Sequence, residues 1–147
     1  MAKTEDLSLP GTWEMESAYE TLADGTRATT YGEHPAGLLM VDGAGRYTLQ
    51  IFRQARPRFA SGDKTRGTPE EYREAVLGSS THFGRVRVDT AQRTLIFDVA
   101  AASYPNWEGQ QQIRDYTYEN GRLTYQVPAS ASGNFTIAYS IWRKVSP

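Results

Sequence analysis

His82 is the side chain best suited to chemistry in this sequence. A neutral imidazole takes or gives a proton near neutral pH, and the segment that contains it, 57–84, carries two carboxylates able to orient it, Asp63 and Glu71. The competing role is a hydrogen-bonded core histidine, with Glu71 used up in a helix cap. A second group lies further on, where Gln112, Arg114, Tyr116 and Tyr118 share one phase and Gln111, Ile113, Asp115 and Thr117 the other. If the first set faces an interior, it brings in an arginine that must be paired or must meet an anion, because burying a lone guanidinium is costly. Arg53, in phase with Tyr47, Leu49 and Ile51, adds a second cation. Such forked donors suit a carboxylate, enolate or phenolate on an otherwise apolar ligand. The alternative puts both arginines on an outer face, or in ion pairs with Asp98 or Glu108. No metal site is expected, since His34 is the only other histidine and no ligand spacing joins the two.

These residues can meet only if the chain folds them inward, and its alternation says how. Trp13, Met15, Ser17 and Tyr19 alternate with charged or small residues over 12–22, as in a half-buried strand. Further strands are expected at 37–41, at 46–53 with Tyr47 and Leu49 inward, and at 82–88 with His82, Gly84 and Val86 inward. Others follow at 94–102 with Phe97 inward, at 111–119, at 122–127 with Tyr125 inward, and from Phe135 to Lys144 through Tyr139. Asp42-Gly43-Ala44-Gly45 and Asn120-Gly121 are hairpin turns. Eight hairpin-linked strands predict an all-β, eight-stranded antiparallel up-and-down barrel, able to enclose one small ligand. A two-sheet sandwich would need long crossings, for which only 54–67 and 128–134 are candidates.

One stretch breaks the alternation. Thr68-Pro69-Glu70-Glu71 is a capping box with proline at the first helical position, and Tyr72, Ala75 and Val76 follow on one face up to Gly78. A short helix between the third and fourth strands results, expected to cover a barrel mouth with Tyr72 and Val76, the loop and helix together spanning 54–80.

Composition narrows the function classes. The 147 residues suit one domain with a real core, expected over 1–147. Sixteen basic and seventeen acidic residues leave a net charge of −1, which offers no broad footprint for nucleic acid or an anionic membrane. The local cluster Arg53, Arg56, Arg58, Lys64 and Arg66 reads as a solvated loop. There is no cysteine, hence no disulfide or thiolate chemistry. No apolar run approaches a membrane span and no signal-like N-terminus is present, so a cytoplasmic location is expected and the Asn134-Phe135-Thr136 sequon is idle. Tyr19, Tyr47, Tyr104, Tyr116, Tyr125 and Tyr139, with Trp13, Trp107, Phe97 and Met15, suggest a cavity for a flat or polycyclic molecule.

Leu9-Pro10-Gly11-Thr12-Trp13, Pro35-Ala36-Gly37, Phe59-Ala60-Ser61-Gly62-Asp63, Gly67-Thr68-Pro69-Glu70-Glu71-Tyr72, Phe83-Gly84 and Pro105-Asn106-Trp107-Glu108-Gly109 run in order along nearly the whole chain. Together they resemble the bacterial and fungal lipocalin-like domain proteins, though His82 stands where many members carry tyrosine. The resemblance implies a small calycin-type barrel in which Trp13 packs under Arg143 as a barrel-closing cation–π pair. It also implies a binding protein, while several barrels of this kind are biosynthetic enzymes.

The expectation is therefore a barrel binding a small apolar or aromatic molecule with a polar or anionic group. Its lining would comprise Tyr19, Tyr47, Arg53, Tyr72, His82, Phe97, Tyr104, Gln112, Arg114, Tyr116, Tyr125 and Tyr139, and it would need no cofactor. The runner-up is a cofactor-free isomerase or cyclase in which His82 moves the proton, oriented by Asp63, and Arg114 or Arg53 steadies an oxyanion. A third class is an interaction barrel filled by its own side chains. Monomer and homodimer are both open.

Overall fold

The computed structural model describes residues 6–127 and 137–146. Strands β1 (Gly11–Thr21), β3 (Ala36–Val41), β4 (Arg46–Phe52), β5 (Ser79–Asp89), β6 (Thr94–Ala102), β7 (Gln111–Glu119), β8 (Arg122–Val127) and β9 (Ile137–Ser146) form the wall, and the two-residue β2 (Arg27–Ala28) flanks β1. Each wall strand pairs antiparallel with the next, and β9 pairs back onto β1 from Thr21↔Ile137 to Thr12↔Ser146. The sheet is thus a closed eight-stranded up-and-down barrel, and no sandwich forms. The expected start of the last strand at Phe135 and Thr136, the 128–134 connection and the sequon lie outside the described residues.

The turns form for local reasons. Asp42 accepts hydrogen bonds from the backbone N–H of Ala44 and Arg46, both at 2.9 Å, which fixes the β3–β4 hairpin. Asn120 and Gly121 both adopt positive φ, as the two-residue β7–β8 turn requires.

One end of the barrel is filled. Trp13, Trp142, Leu39, Leu95 and Leu123 are fully buried there. The Trp13 indole N–H donates to the Leu9 carbonyl at 2.9 Å, so the segment before β1 is drawn across this floor. The cation over Trp13 is Lys144, 5.4 Å from the ring centroid, and not Arg143. Strand alternation explains the correction: Trp142 points inward, so Arg143 points outward, where it binds Glu16 at 2.9 Å, and Lys144 returns to the Trp13 side.

Two β-bulges re-aim the wall. Between Met15 and Ser17 the β1–β9 register slips, so Ala18 is the buried residue beyond Met15 and Tyr19 takes the other phase. Between Phe83 and Gly84 the β5–β6 register slips as well, which brings Ala102, not Ala101, opposite His82. Gly84 permits this second bulge, because a Cβ there would stand 2.0 Å from the Asp98 carbonyl oxygen.

Helix α1 (Pro69–Leu77) lies between β4 and β5, with both halves of the capping box made: Thr68 Oγ1 accepts from Glu71 N and Glu71 accepts from Thr68 N. It ends at Gly78, which has φ −86° and not the left-handed turn expected at a helix stop. A glycine is needed there for room, since a Cβ would meet Arg56 Cδ and the Glu74 carbonyl, each at 2.8 Å. Among the described residues no helix is long and apolar enough to cross a membrane.

Gly84→Ala is expected to destabilise the barrel by about 3 kcal/mol, because the clash is with backbone in a paired strand. Gly43→Ala, with nothing within 4 Å of the new methyl, should stay within about 0.5 kcal/mol of the parent. Denaturant midpoints check both; equal midpoints for the two variants would refute the role given to Gly84.

Candidate functional site

The end opposite the floor opens into a cavity of about 420 Å³. Its depth is apolar and aromatic: Leu49, Ile51, Phe97 and Tyr125 are buried side chains of β4, β6 and β8. Its mouth is framed by Val76 and Leu77 of α1, Tyr104, Pro105 and Trp107 of the 3-10 turn after β6, and Tyr31 of the loop before β3. The interior is therefore not filled by its own side chains.

Arg114 and Gln112 enter this cavity from β7, both buried. Alternation puts them there, two residues apart on the inward face. Arg114 Nη2 donates to Gln112 Oε1 at 2.7 Å, and Nη1 reaches the Ile113 carbonyl only at 3.4 Å. Among the described residues no carboxylate pairs with Arg114, since Asp98 is held by Gln111 and Glu108 by the Ala102 N–H. Burial pushes the guanidinium's pKa below its ordinary value, partly offset by the Tyr125 and Tyr47 phenols. Because arginine only donates, it fixes the Gln112 oxygen toward itself, and the Gln112 amide nitrogen is left buried without a partner among the described residues.

His82 projects from β5 into the same cavity. Its Nδ1 lies 2.7 Å from the Tyr47 hydroxyl, and its ring meets Tyr47, Phe97 and Trp107 edge-on, with centroids 5.4, 6.1 and 5.6 Å apart. Burial, then the nearby Arg114 charge, lowers its pKa to about 4, so the ring is neutral at pH 7. Burial likewise raises the Tyr47 phenol and pushes Tyr125 up to about 12.

The other expected site residues lie at the margin of the cavity or outside it. Asp63 caps the 3-10 turn Lys64–Arg66 through Thr65, and Glu71 is spent on Thr68 and Ala60, so neither carboxylate orients His82. Tyr72 packs its ring on Phe59 and donates its hydroxyl to the Lys64 carbonyl, and Leu77 joins Val76 at the mouth in its stead. Arg53 lies beyond the end of β4, where it pairs with Glu74 and donates to the Thr30 carbonyl, tying α1 to the wall. Tyr116 is inward but on the floor side, outside the cavity lining. Tyr19 and Tyr139 touch the cavity margin yet stack on each other at 4.8 Å, opposite in phase to the buried Ala18 and Ser140, with Arg27 over Tyr19. Tyr104 stands half exposed at the rim against Trp107.

A closed eight-stranded meander with a plugged floor, an open mouth and a ligand-sized cavity is the architecture of one group of small barrels. A family model for a lipocalin-like domain matches residues 10–145. The chain belongs to the lipocalin-like domain family. A search of curated proteins returns no match. Lipocalin-like barrels suit the binding of small molecules, and the cavity volume falls at the lower end of the ~300–1,000 Å³ of ligand sites.

The neutral His82 has a pH consequence. Its pKa is near 6.5 in an unfolded chain and about 4 here, so the unfolded state binds the extra proton between these values. Stability from this group is fully present above pH 6.5 and is lost as pH falls toward 4, by about 2–3 kcal/mol at pH 4.5. His82→Phe should flatten that part of the stability–pH curve, read by denaturation at pH 7.5 and 4.5. Identical slopes in parent and variant would exclude a buried neutral imidazole.

Proposed function

We propose that this lipocalin-like barrel binds a small, flat, largely apolar or aromatic molecule through an acidic group, a carboxylate or an acidic enol or phenol. The observation that carries this reading is Arg114, a buried cation without a carboxylate partner among the described residues, aimed into an aromatic cavity beside the unpartnered amide of Gln112. Burying a charge without an ion pair costs free energy that folding does not return, whereas an incoming anion supplies both the charge and the acceptors. Gln112 makes the arrangement bidentate, and Phe97 and Tyr125 offer ring surface beside it.

The test uses 2-naphthoate and its neutral counterpart 2-naphthalenemethanol, titrated calorimetrically. The parent should prefer the acid. Arg114→Met should weaken the acid roughly 10- to 100-fold, as the loss of a charge-assisted hydrogen bond does, and should change the alcohol little. The variant is expected to be at least as stable as the parent, since the charge is a cost to the folded state. No preference for the acid in the parent would overturn the reading.

Acid–base catalysis in the same cavity is a second reading, favoured by the Tyr47–His82 hydrogen bond beside the Arg114 cation. It predicts that the molecule co-purifying with the barrel is a product, and that a related precursor is turned over ~10²–10⁴-fold more slowly by His82→Gln. Equal turnover by that variant would exclude it.

A further inference from the structure

The polar groups that the depth of the cavity leaves unengaged are donors. Arg114 and the amide nitrogen of Gln112 are two of them. His82 adds a third, by an argument from its neighbour. The Tyr47 hydroxyl has the His82 Nδ1 as its one hydrogen-bond partner among the described residues. A buried phenol that gave its hydrogen to nothing would bear the full desolvation cost of that donor, so the phenol donates and Nδ1 accepts. In a neutral imidazole the hydrogen then sits on Nε2. Burial keeps the ring neutral at pH 7. Nε2 has no partner among the described residues, and the ring lines the cavity. The carboxylate in the lining, Glu20, receives the Thr30 hydroxyl on the loop side of the mouth.

Resting on the reading of Arg114 as the anion site, we infer that the ligand carries a second acceptor on the same rigid frame, a ring carbonyl or comparable oxygen, that takes the Nε2–H of His82. The ligand class is thereby narrowed from aromatic acids to flat oxo-acids and their enol or phenol equivalents. Tyr47 is a positioning residue in this scheme, since its hydroxyl sets which imidazole nitrogen carries the hydrogen.

Chromone-2-carboxylate and 2-naphthoate are bicyclic acids of similar size, and only the first has a ring carbonyl away from the acid. The parent should bind the chromone roughly threefold to tenfold more tightly, as one net hydrogen bond allows. His82→Phe should bring the ratio of the two affinities, measured in the variant itself, close to one. A preference that survives in His82→Phe, or that is missing in a parent which binds 2-naphthoate, overturns the inference alone. A parent that binds neither acid removes the anion site as well. The ring 15N shifts of His82 in the ligand-free parent provide a reading independent of any variant: hydrogen on Nε2 is expected, and hydrogen on Nδ1 overturns the assignment.

Discussion

The interior exists because β9 pairs with β1. An open meander of eight strands would leave two edges and a single exposed apolar face; closing it turns that face into a core and satisfies both edges at once. Closure is reinforced from outside and from within. Arg122 and Arg143 both bind Glu16 across the seam, and the hydrogen bond from Arg122, with the two positive charges, holds that carboxyl below its ordinary pKa. Inside, the fully buried Trp13 and Trp142 fill the floor beneath it. The seam also contains the Met15/Ser17 bulge, so the residues that close the barrel are the ones that decide what β1 shows to the cavity.

Strand alternation was readable wherever the pleat is regular. Arg114, Gln112, Tyr47, Phe97 and Tyr125 all face inward as a period of two requires, because no bulge lies between them and the turns that fix their strands. His82 was readable too, because the residue left unpaired at the Phe83/Gly84 irregularity is Ala100 of β6, and β5 keeps its alternation. Tyr19 and Tyr139 reach only the cavity margin: the extra residue in β1 shifts the phase beyond Met15, which nothing in Met15-Glu16-Ser17 marks, and in β9, regular at this point, the inward set is Ser140 and Trp142, one residue away from Tyr139. The Trp13–Arg143 pairing failed for a similar reason of phase, with Lys144 one residue further on.

Long side chains escape alternation altogether. Arg53 shares the parity of Ile51 but stands past the strand end, where its reach lets it find Glu74 on α1. Asp63 and Glu71 were the natural carboxylate partners for a histidine by sequence distance, yet each meets a nearer backbone donor first. Local caps compete with distant contacts and win whenever they need no chain closure. Tyr31 and Trp107, both in loops, had no period to reveal them; Trp107 was visible only as one more aromatic in Pro-Asn-Trp, and its edge-on contact with His82 depends on how the turn after β6 folds back.

The two ends of the barrel do different jobs. Tryptophan and leucine fill the floor, and the mouth is assembled from loop and helix residues such as Tyr104, Val76 and Leu77 that are about half exposed or more. Changes at the mouth therefore touch few of the contacts that hold the strands together. Such a division of labour lets one chain serve as a template for many ligands: new specificities can be tried at the open end, by mutation in nature or by hand in the laboratory, while the plugged end continues to guarantee the fold.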